Sequence, residues 1–279
     1  MKGHAVLIFV LKTLVLAFLL FVIQVAASML LGVGVPSEKS PALGSLFISY
    51  LAQAGVLGYF VLRSPWKGWK LYVAVFLLFF GIATALTQVE TLVFLQRLVG
   101  TVPEGMVPLL LLQGLLTSSI FAFWVVIVHG RFGKKTESLR DVAPGTWKRW
   151  EFGKSILLAF LYVLFYFVFG LLIFRPLAGG AFQEFYAEPV SQASFLPIVL
   201  LQVLRGLAFA LLAFLIVRAV EAGRSEKSLL VALLFAVLMG FLLLPPNPYM
   251  PDRIRLSHFV EVTTSNFLFG WLAGWLLSS

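Results

Sequence analysis

Of 279 residues, 61% are hydrophobic and only 12% are charged, about half the share found in soluble domains, which excludes a water-soluble globular chain. The absence of cysteine excludes disulfides, thiolate metal sites and a cysteine nucleophile, and His4, His129 and His258 are the only imidazoles. The apolar runs are mostly near ~20 residues, the helical length that crosses a ~30 Å hydrocarbon core, rather than the ~10-residue alternation of a barrel. The sequence therefore predicts an all-α, polytopic membrane helix bundle, with the net charge of +9 still to be placed.

Eight spans are predicted, over 5–32, 42–62, 70–89, 106–128, 154–174, 195–217, 228–245 and 254–277. The first follows Lys2, and Val25-Ala26-Ala27 resembles a cleavage site, but the run exceeds the ~7–15-residue core of a signal peptide and is read as a span. Lys12 within it snorkels to the inner headgroups. The third span ends at Val89, which leaves Glu90 at the outer interface; only a long, tilted third helix would bring Glu90 into a cavity with Glu261. Residues 129–154 form a basic connector with an Ala143-Pro144-Gly145 turn. The fifth span, LYVLFYFVFGLLIF from Leu161, is dense in aromatic residues and reads as a lipid-facing or core surface. QEFYAEP, 183–189, reads as an outer loop or short interfacial helix, and PPNPYMP, 245–251, as a stiff, lid-like turn that fixes where the last span begins. No loop is long enough to fold separately, so 1–279 reads as a single integral membrane domain.

An even number of spans puts both termini on one side. Lys and Arg concentrate in alternate loops: Lys2, then Arg63, Lys67 and Lys70, then the basic run from Arg131 to Lys154, then Arg218, Arg224 and Lys227. The other side has Lys39, Arg97, Arg175, Arg253 and Arg255. The positive-inside rule then places both termini in the cytoplasm of a cell (inner) membrane. That basic face attracts the anionic headgroups of membrane lipids, and no nucleic acid is needed to explain it.

VPLLLLQGL from Val107 resembles LPIVLLQVL from Leu196, and Gln53 and Gln113 stand in the register of Gln202 and Glu261. This predicts two parallel four-helix repeats, over 1–140 and 150–279, with a polar side chain about two turns below the outer end of each even span.

A charge near mid-membrane costs about 2.5–3.5 kcal/mol on insertion scales and normally faces inward, toward a partner. Arg205 in the sixth span and Glu261 in the eighth are such residues, and they are expected to meet, directly or through water. Gln202 lies one turn above Arg205, and His258, Glu261 and Ser265, with Thr264 beside it, give the last span a polar stripe. Its other part carries Gly270 and Gly274, a spacing that lets a neighbouring helix approach closely. Glu261, Arg205, His258, Gln202, Gln113, Glu90 and Asn266 are thus the candidate ligand or proton-coupling residues, in an outer-half polar pocket built by the sixth and eighth spans with the second, third and fourth.

The reading that follows is a transporter or permease-like protein handling a small or amphiphilic, lipid-like solute. One alternative is a non-catalytic subunit of a membrane complex, with another membrane protein as partner. A further alternative is an intramembrane hydrolase. The order Glu90 with Arg97, Phe121 or Phe123 before His129, and His258 before Asn266 resembles the motif order of the CAAX-protease-like (CPBP) intramembrane proteases, and that resemblance implies a multi-span enzyme in which glutamates and histidines activate water. The chain departs from the pattern at each motif: Glu90 is followed by Thr91, Arg97 is too distant, no Phe stands four before His129, and His258 is too far from Asn266. His129 and His258 also fall at opposite interfaces. No cofactor or metal is expected, and no phosphate-binding glycine loop or HExxH motif is present.

Overall fold

A computed structural model describes residues 2–33, 43–133, 149–192 and 195–278, and among these the chain is helical without a strand. In chain order the helices are α1 (Gly3–Leu31), α2 (Leu43–Arg63), α3 (Gly68–Gln96), α4 (Met106–Val128), α5 (Glu151–Ala178), the short α6 (Gly180–Gln192), α7 (Phe195–Ala219), α8 (Arg224–Leu243) and α9 (Asp252–Leu277). Seven of them, all but α6 and α9, are long and apolar enough to cross a membrane. Eight spans were expected. The difference is α9, which has the length at 26 residues but bears Asp252, Arg253, Arg255, His258 and Glu261 in its first half.

What holds α9 in the bundle is close packing on α8. A Cβ at Gly270 would lie 2.8 Å from Ala232 Cα, and one at Gly274 would lie 2.6 Å from Ser228 Cα, so the two antiparallel backbones touch where the glycines have no side chain. Gly206 does the same for α7 against α5, where a Cβ would lie 2.8 Å from Ala159 Cα. The centre is filled by Phe60, Phe121, Phe209, Phe235 and Phe269, all fully buried. Phe160, Leu164 and Leu204 point outward at 62%, 56% and 66% exposure, a surface suited to hydrocarbon.

The pairing of helices repeats. In the first part α1 packs on α2 and α4, and α3 packs on α4; in the second α5 packs on α7 and α9, and α8 packs on α9. Across the middle, α2 meets α8 and α3 meets α7.

One end of the bundle is tied by basic residues. Arg63 pairs with Glu226 across α2 and α8, Arg218 lies 2.6 Å from Glu151, and Lys154 and Arg224 donate to the last carbonyls of α9, Leu276 O and Trp275 O. Cations there satisfy unpaired carbonyls and complement the helix dipole. His129 sits at this basic end, beside Gly58 of α2, and so far from His258. Most of the basic connector with its Ala143-Pro144-Gly145 turn lies outside the described residues.

From the middle of the bundle toward the opposite end three helices depart from regular α geometry. α3 has widened, π-type turns at Phe80–Ala85 and Leu92–Leu98, α5 at Gly170–Phe174, and α8 at Ala236–Gly240. The sequence offered no broken helix, since none of these turns contains proline. Such wide turns cluster at sites where a helix must present unusual side chains. The expected lid-like turn is present: Asn247 Oδ1 accepts from Tyr249 N at 2.7 Å, Pro251 precedes α9, and Arg255 Nη1 donates to Leu243 O and Leu244 O at 2.7 and 2.6 Å. The segment read as an outer loop or interfacial helix, 183–189, lies within α6.

Candidate functional site

The continuation of α3 through Gln96 decides the place of Glu90. Instead of ending at Val89, the helix carries Glu90 inward, where its Oε2 lies 2.8 Å from Arg205 Nη2. The interfacial placement is thereby replaced by the cavity placement. Of the two ways Arg205 and Glu261 were expected to meet, the direct one is absent: the direct contact of Arg205 is with Glu90, and Glu261 faces Arg205 across a small water-sized void that both line.

Arg205 is 3% exposed, and both of its terminal nitrogens are held. Its Nη1 donates to Gln202 Oε1 at 3.0 Å, Nη2 lies 3.7 Å from Met239 Sδ, and Cζ lies 5.6 Å from the centre of the Tyr162 ring. A buried guanidinium needs such partners, because desolvation alone would be prohibitive. Gln202 is fully buried, and its amide is oriented by the guanidinium it supports.

On α9 the polar stripe forms as its spacing requires. His258 Nδ1 lies 3.4 Å from Glu261 Oε2, and Ser265 Oγ lies 3.4 Å from Glu261 Oε1. Thr264 is not part of it: it is exposed and donates to Val260 O at 2.6 Å, the usual local bond of a helical threonine. His258 stacks on Phe174 with ring centres 3.9 Å apart, and its Nε2 lies 3.2 Å from Tyr186 Oη on α6. Burial pushes the Tyr186 hydroxyl up from its ordinary value, so it stays neutral at physiological pH. Asn266 donates to Val262 O at 2.8 Å, while its Oδ1 has no partner.

Two spaces adjoin at this site. A small void of about 30 Å³ is lined by Glu90, Tyr162, Tyr166, Arg205, Met239, His258, Glu261 and Asn266. Arg205 Nε and Asn266 Oδ1, a donor and an acceptor, are buried without a protein partner at its edge. A void of this size with such groups suits a water molecule. Beyond Glu90, Tyr166, Met239, His258 and Glu261, which border both spaces, opens a cavity of about 710 Å³. Its walls are mainly aromatic and aliphatic, and the Pro245–Met250 turn and α6 residues Phe182 and Tyr186 help close it. A polar belt lines the far wall. There Gln113 Nε2 donates to Ser28 Oγ at 2.6 Å, Thr117 Oγ1 donates to Gln24 Oε1 at 3.1 Å, and Ser49 Oγ donates to Phe241 O at 2.8 Å.

Of the candidate residues, Glu90, Arg205, His258, Glu261 and Asn266 line the void, and Gln202 supports Arg205. Gln113 lies apart from them, on α4, facing the large cavity. The pocket also uses helices the sequence did not nominate: α5 through Tyr162 and Tyr166, α8 through Met239, α1 through Gln24 and α6 through Tyr186. The two tyrosines one turn apart in a phenylalanine-rich span were a usable signal, because a hydroxyl in a spanning helix needs a partner. Nothing marked Met239. Among the described residues no three His, Asp or Glu side chains come together as a metal site.

No protein-family model, curated protein or solved structure matches the chain. Its class is defined by its own fold: an all-helical chain with seven helices able to cross a membrane, compatible with an integral, multi-pass membrane protein.

Proposed function

We propose that the chain is a transporter or permease-like membrane protein that takes a small or amphiphilic solute into the large cavity. The observation that carries this reading is the cavity itself: about 710 Å³, within the range of ligand-binding pockets, with Glu90, His258 and Glu261 in its wall at membrane depth. In this reading α9 is an eighth span, supported by its antiparallel packing along α8, and both termini lie in the cytoplasm with the basic end. The repeated helix pairing supports two parallel halves with the cavity between them, the placement usual for solute sites. A purely structural, non-catalytic subunit needs an internal ion pair but no cavity of this size.

The chain has no native cysteine, which allows a direct test. Thr91 lines the cavity and Leu204 faces outward, 66% exposed. Thr91→Cys is expected to react with a charged, membrane-impermeant methanethiosulfonate added outside intact cells, and Leu204→Cys to stay unreactive. Equal lack of reaction at both positions would overturn the reading.

A second reading, a hydrolase, is supported by one observation: the water-sized void between two glutamates and a histidine. Hydrolysis of a membrane substrate by the wild type, lost in Glu90→Gln and Glu261→Gln with the cavity still labelled, would favour it over transport.

A further inference from the structure

The charge balance around the two spaces restricts what the large one can hold. Glu90, His258 and Glu261 line both spaces, but Arg205 lines only the void behind them. A molecule in the large cavity therefore meets carboxylates first and the guanidinium second. Arg205 is already engaged by Glu90, whereas Glu261 has around it His258 Nδ1 and Ser265 Oγ, each at 3.4 Å. Two carboxylates against one guanidinium leave this set one positive charge short unless a proton or a cation joins it, and a net charge so placed is costly.

The groups facing the Glu261–His258 pair come from every helix packed around it. They are Glu90 on α3, Tyr162 and Tyr166 on α5, Tyr186 on α6 and Arg205 on α7; α8 contributes the uncharged Met239. Arg175 on α5 lines the large cavity but is exposed, and so is solvated at its rim. A separate observation points the same way. Gln88 Oε1, an acceptor lining the large cavity on the same helix as Glu90, is buried without a partner. The rings of Phe94, Tyr166 and Phe174 border the same region and offer faces that attract cations. Leu171 lines the cavity and is itself 57% exposed on the outside of α5, so the cavity wall there is apolar and thin, suited to an apolar body.

We propose that the cavity takes a lipophilic organic cation, whose positive head stands beside Glu261 and Glu90 in the place of a proton, one cation entering as one proton leaves. This rests on the transporter reading and specifies its substrate class and coupling. The exchange balances: the Glu261 O–H bond breaks, its proton passes to His258 Nδ1, His258 releases its Nε2 proton to Tyr186 Oη, 3.2 Å away on α6, and the phenol gives up its own proton to solvent on the large-cavity side that Tyr186 lines, staying neutral throughout. The carboxylate left on Glu261 is neutralised by the incoming cation.

The test uses the full chain in lipid nanodiscs with tetraphenylphosphonium as probe, and dodecyl sulfate and dodecyl maltoside as anionic and neutral competitors. Expected are saturable binding, about one proton released per cation in weakly buffered solution, and affinity falling up to tenfold per pH unit on acidification once the proton competes. Glu261→Gln should weaken binding at least tenfold and remove both proton release and pH dependence, whereas Glu261→Asp should keep them. If Glu261→Gln does not fold, the wild-type proton count alone decides. Binding without proton release, or a site that takes dodecyl sulfate or dodecyl maltoside in preference, overturns the inference. Should Thr91→Cys be labelled while the cation fails, this inference falls alone; should Thr91→Cys be unreactive, the transporter reading falls with it.

Discussion

Arg205 lies 2.8 Å from Glu90 and faces Glu261 only across a water-sized void. The buried guanidinium thus joins α7 to α3 directly and to α9 at one remove, and the second carboxylate keeps its own side toward the large cavity. A direct Arg205–Glu261 bond would have used up both charges and left Glu90 alone.

The Arg205–Glu90 pair is expected to be strongly coupled. Arg205→Met strands a carboxylate that is only a third open to the cavity, and it should destabilise by about 2–4 kcal/mol, below the full cost of breaking a buried pair because of that opening. Glu90→Gln should cost less, since the guanidinium retains Gln202 and has Glu261 nearby. The double variant should be more stable than the sum of the two losses predicts, by more than about 1 kcal/mol. Unfolding in detergent, followed as a double-mutant cycle, reads this; additive losses would show that the two side chains do not interact.

The all-helical class, the order of the apolar helices and most inward-facing polar residues were legible because insertion cost is a local property: a run of apolar residues needs no partner to be recognised, and a buried Arg205 or Glu261 is conspicuous at once. The partner choice was not legible. It depended on where α3 ends, and α3 passes Val89 through two widened turns with no proline to announce them. Met239 was hidden for a related reason, and Tyr162 and Tyr166 were marked only by hydroxyls in need of partners: in an apolar helix the same composition serves the outer face and the pocket, so composition alone does not say which way each residue points. Thr264 erred in the other direction, since proximity along the chain to Ser265 put it on the polar stripe while the helical turn placed it outside.

Close packing of α8 on α9 gives a second prediction. Gly274→Leu must place a side chain where a Cβ already lies 2.6 Å from Ser228 Cα, and the obstacle is backbone that no rotamer change moves. Overpacking costs about 1–3 kcal/mol even where side chains can yield, so the loss here should be at least that, with a clear drop in Tm. Gly153→Ala, where nothing lies within 4 Å, is the control and should leave Tm unchanged or slightly raised, since alanine favours the helix.

His129 gives a prediction about pH at the basic end. It follows the last residue of α4, outside the spanning helices, is buried, and its Nδ1 donates to Val125 O at 2.9 Å while Nε2 has no partner. Burial pushes its pKa below the ordinary histidine value, helped by the nearby positive charges of Lys12 and Arg131. The unfolded chain therefore binds a proton on this residue at a pH where the folded chain does not. Its contribution is fully present above about pH 6.5 and is lost as pH falls from there toward the lowered folded value. His129→Gln should lessen the drop in Tm between pH 7.5 and pH 5.5 relative to wild type; an unchanged drop would assign the acid sensitivity elsewhere.

Arg255 should control the roof of the large cavity. Its guanidinium donates to Leu243 O and Leu244 O at the end of α8 and to Asp252 Oδ1 at 2.9 Å in the first turn of α9, so one side chain clamps both ends of the Pro245–Met250 turn. Charge-assisted bonds of this kind contribute about 1.5–3 kcal/mol each, and the carbonyls they hold have no other partner within their helix. Arg255→Gln reaches less far and bears no charge, so the turn should loosen while the α8–α9 glycine contact, several turns below, holds the bundle together. Two readouts should then separate. Tm should fall only modestly, and the rate at which Thr91→Cys reacts with the impermeant reagent should rise several-fold, because the turn closes the cavity that Thr91 lines. A lower Tm with an unchanged labelling rate would mean that the solute path does not pass under this turn, and would direct attention to the cavity wall at Leu171.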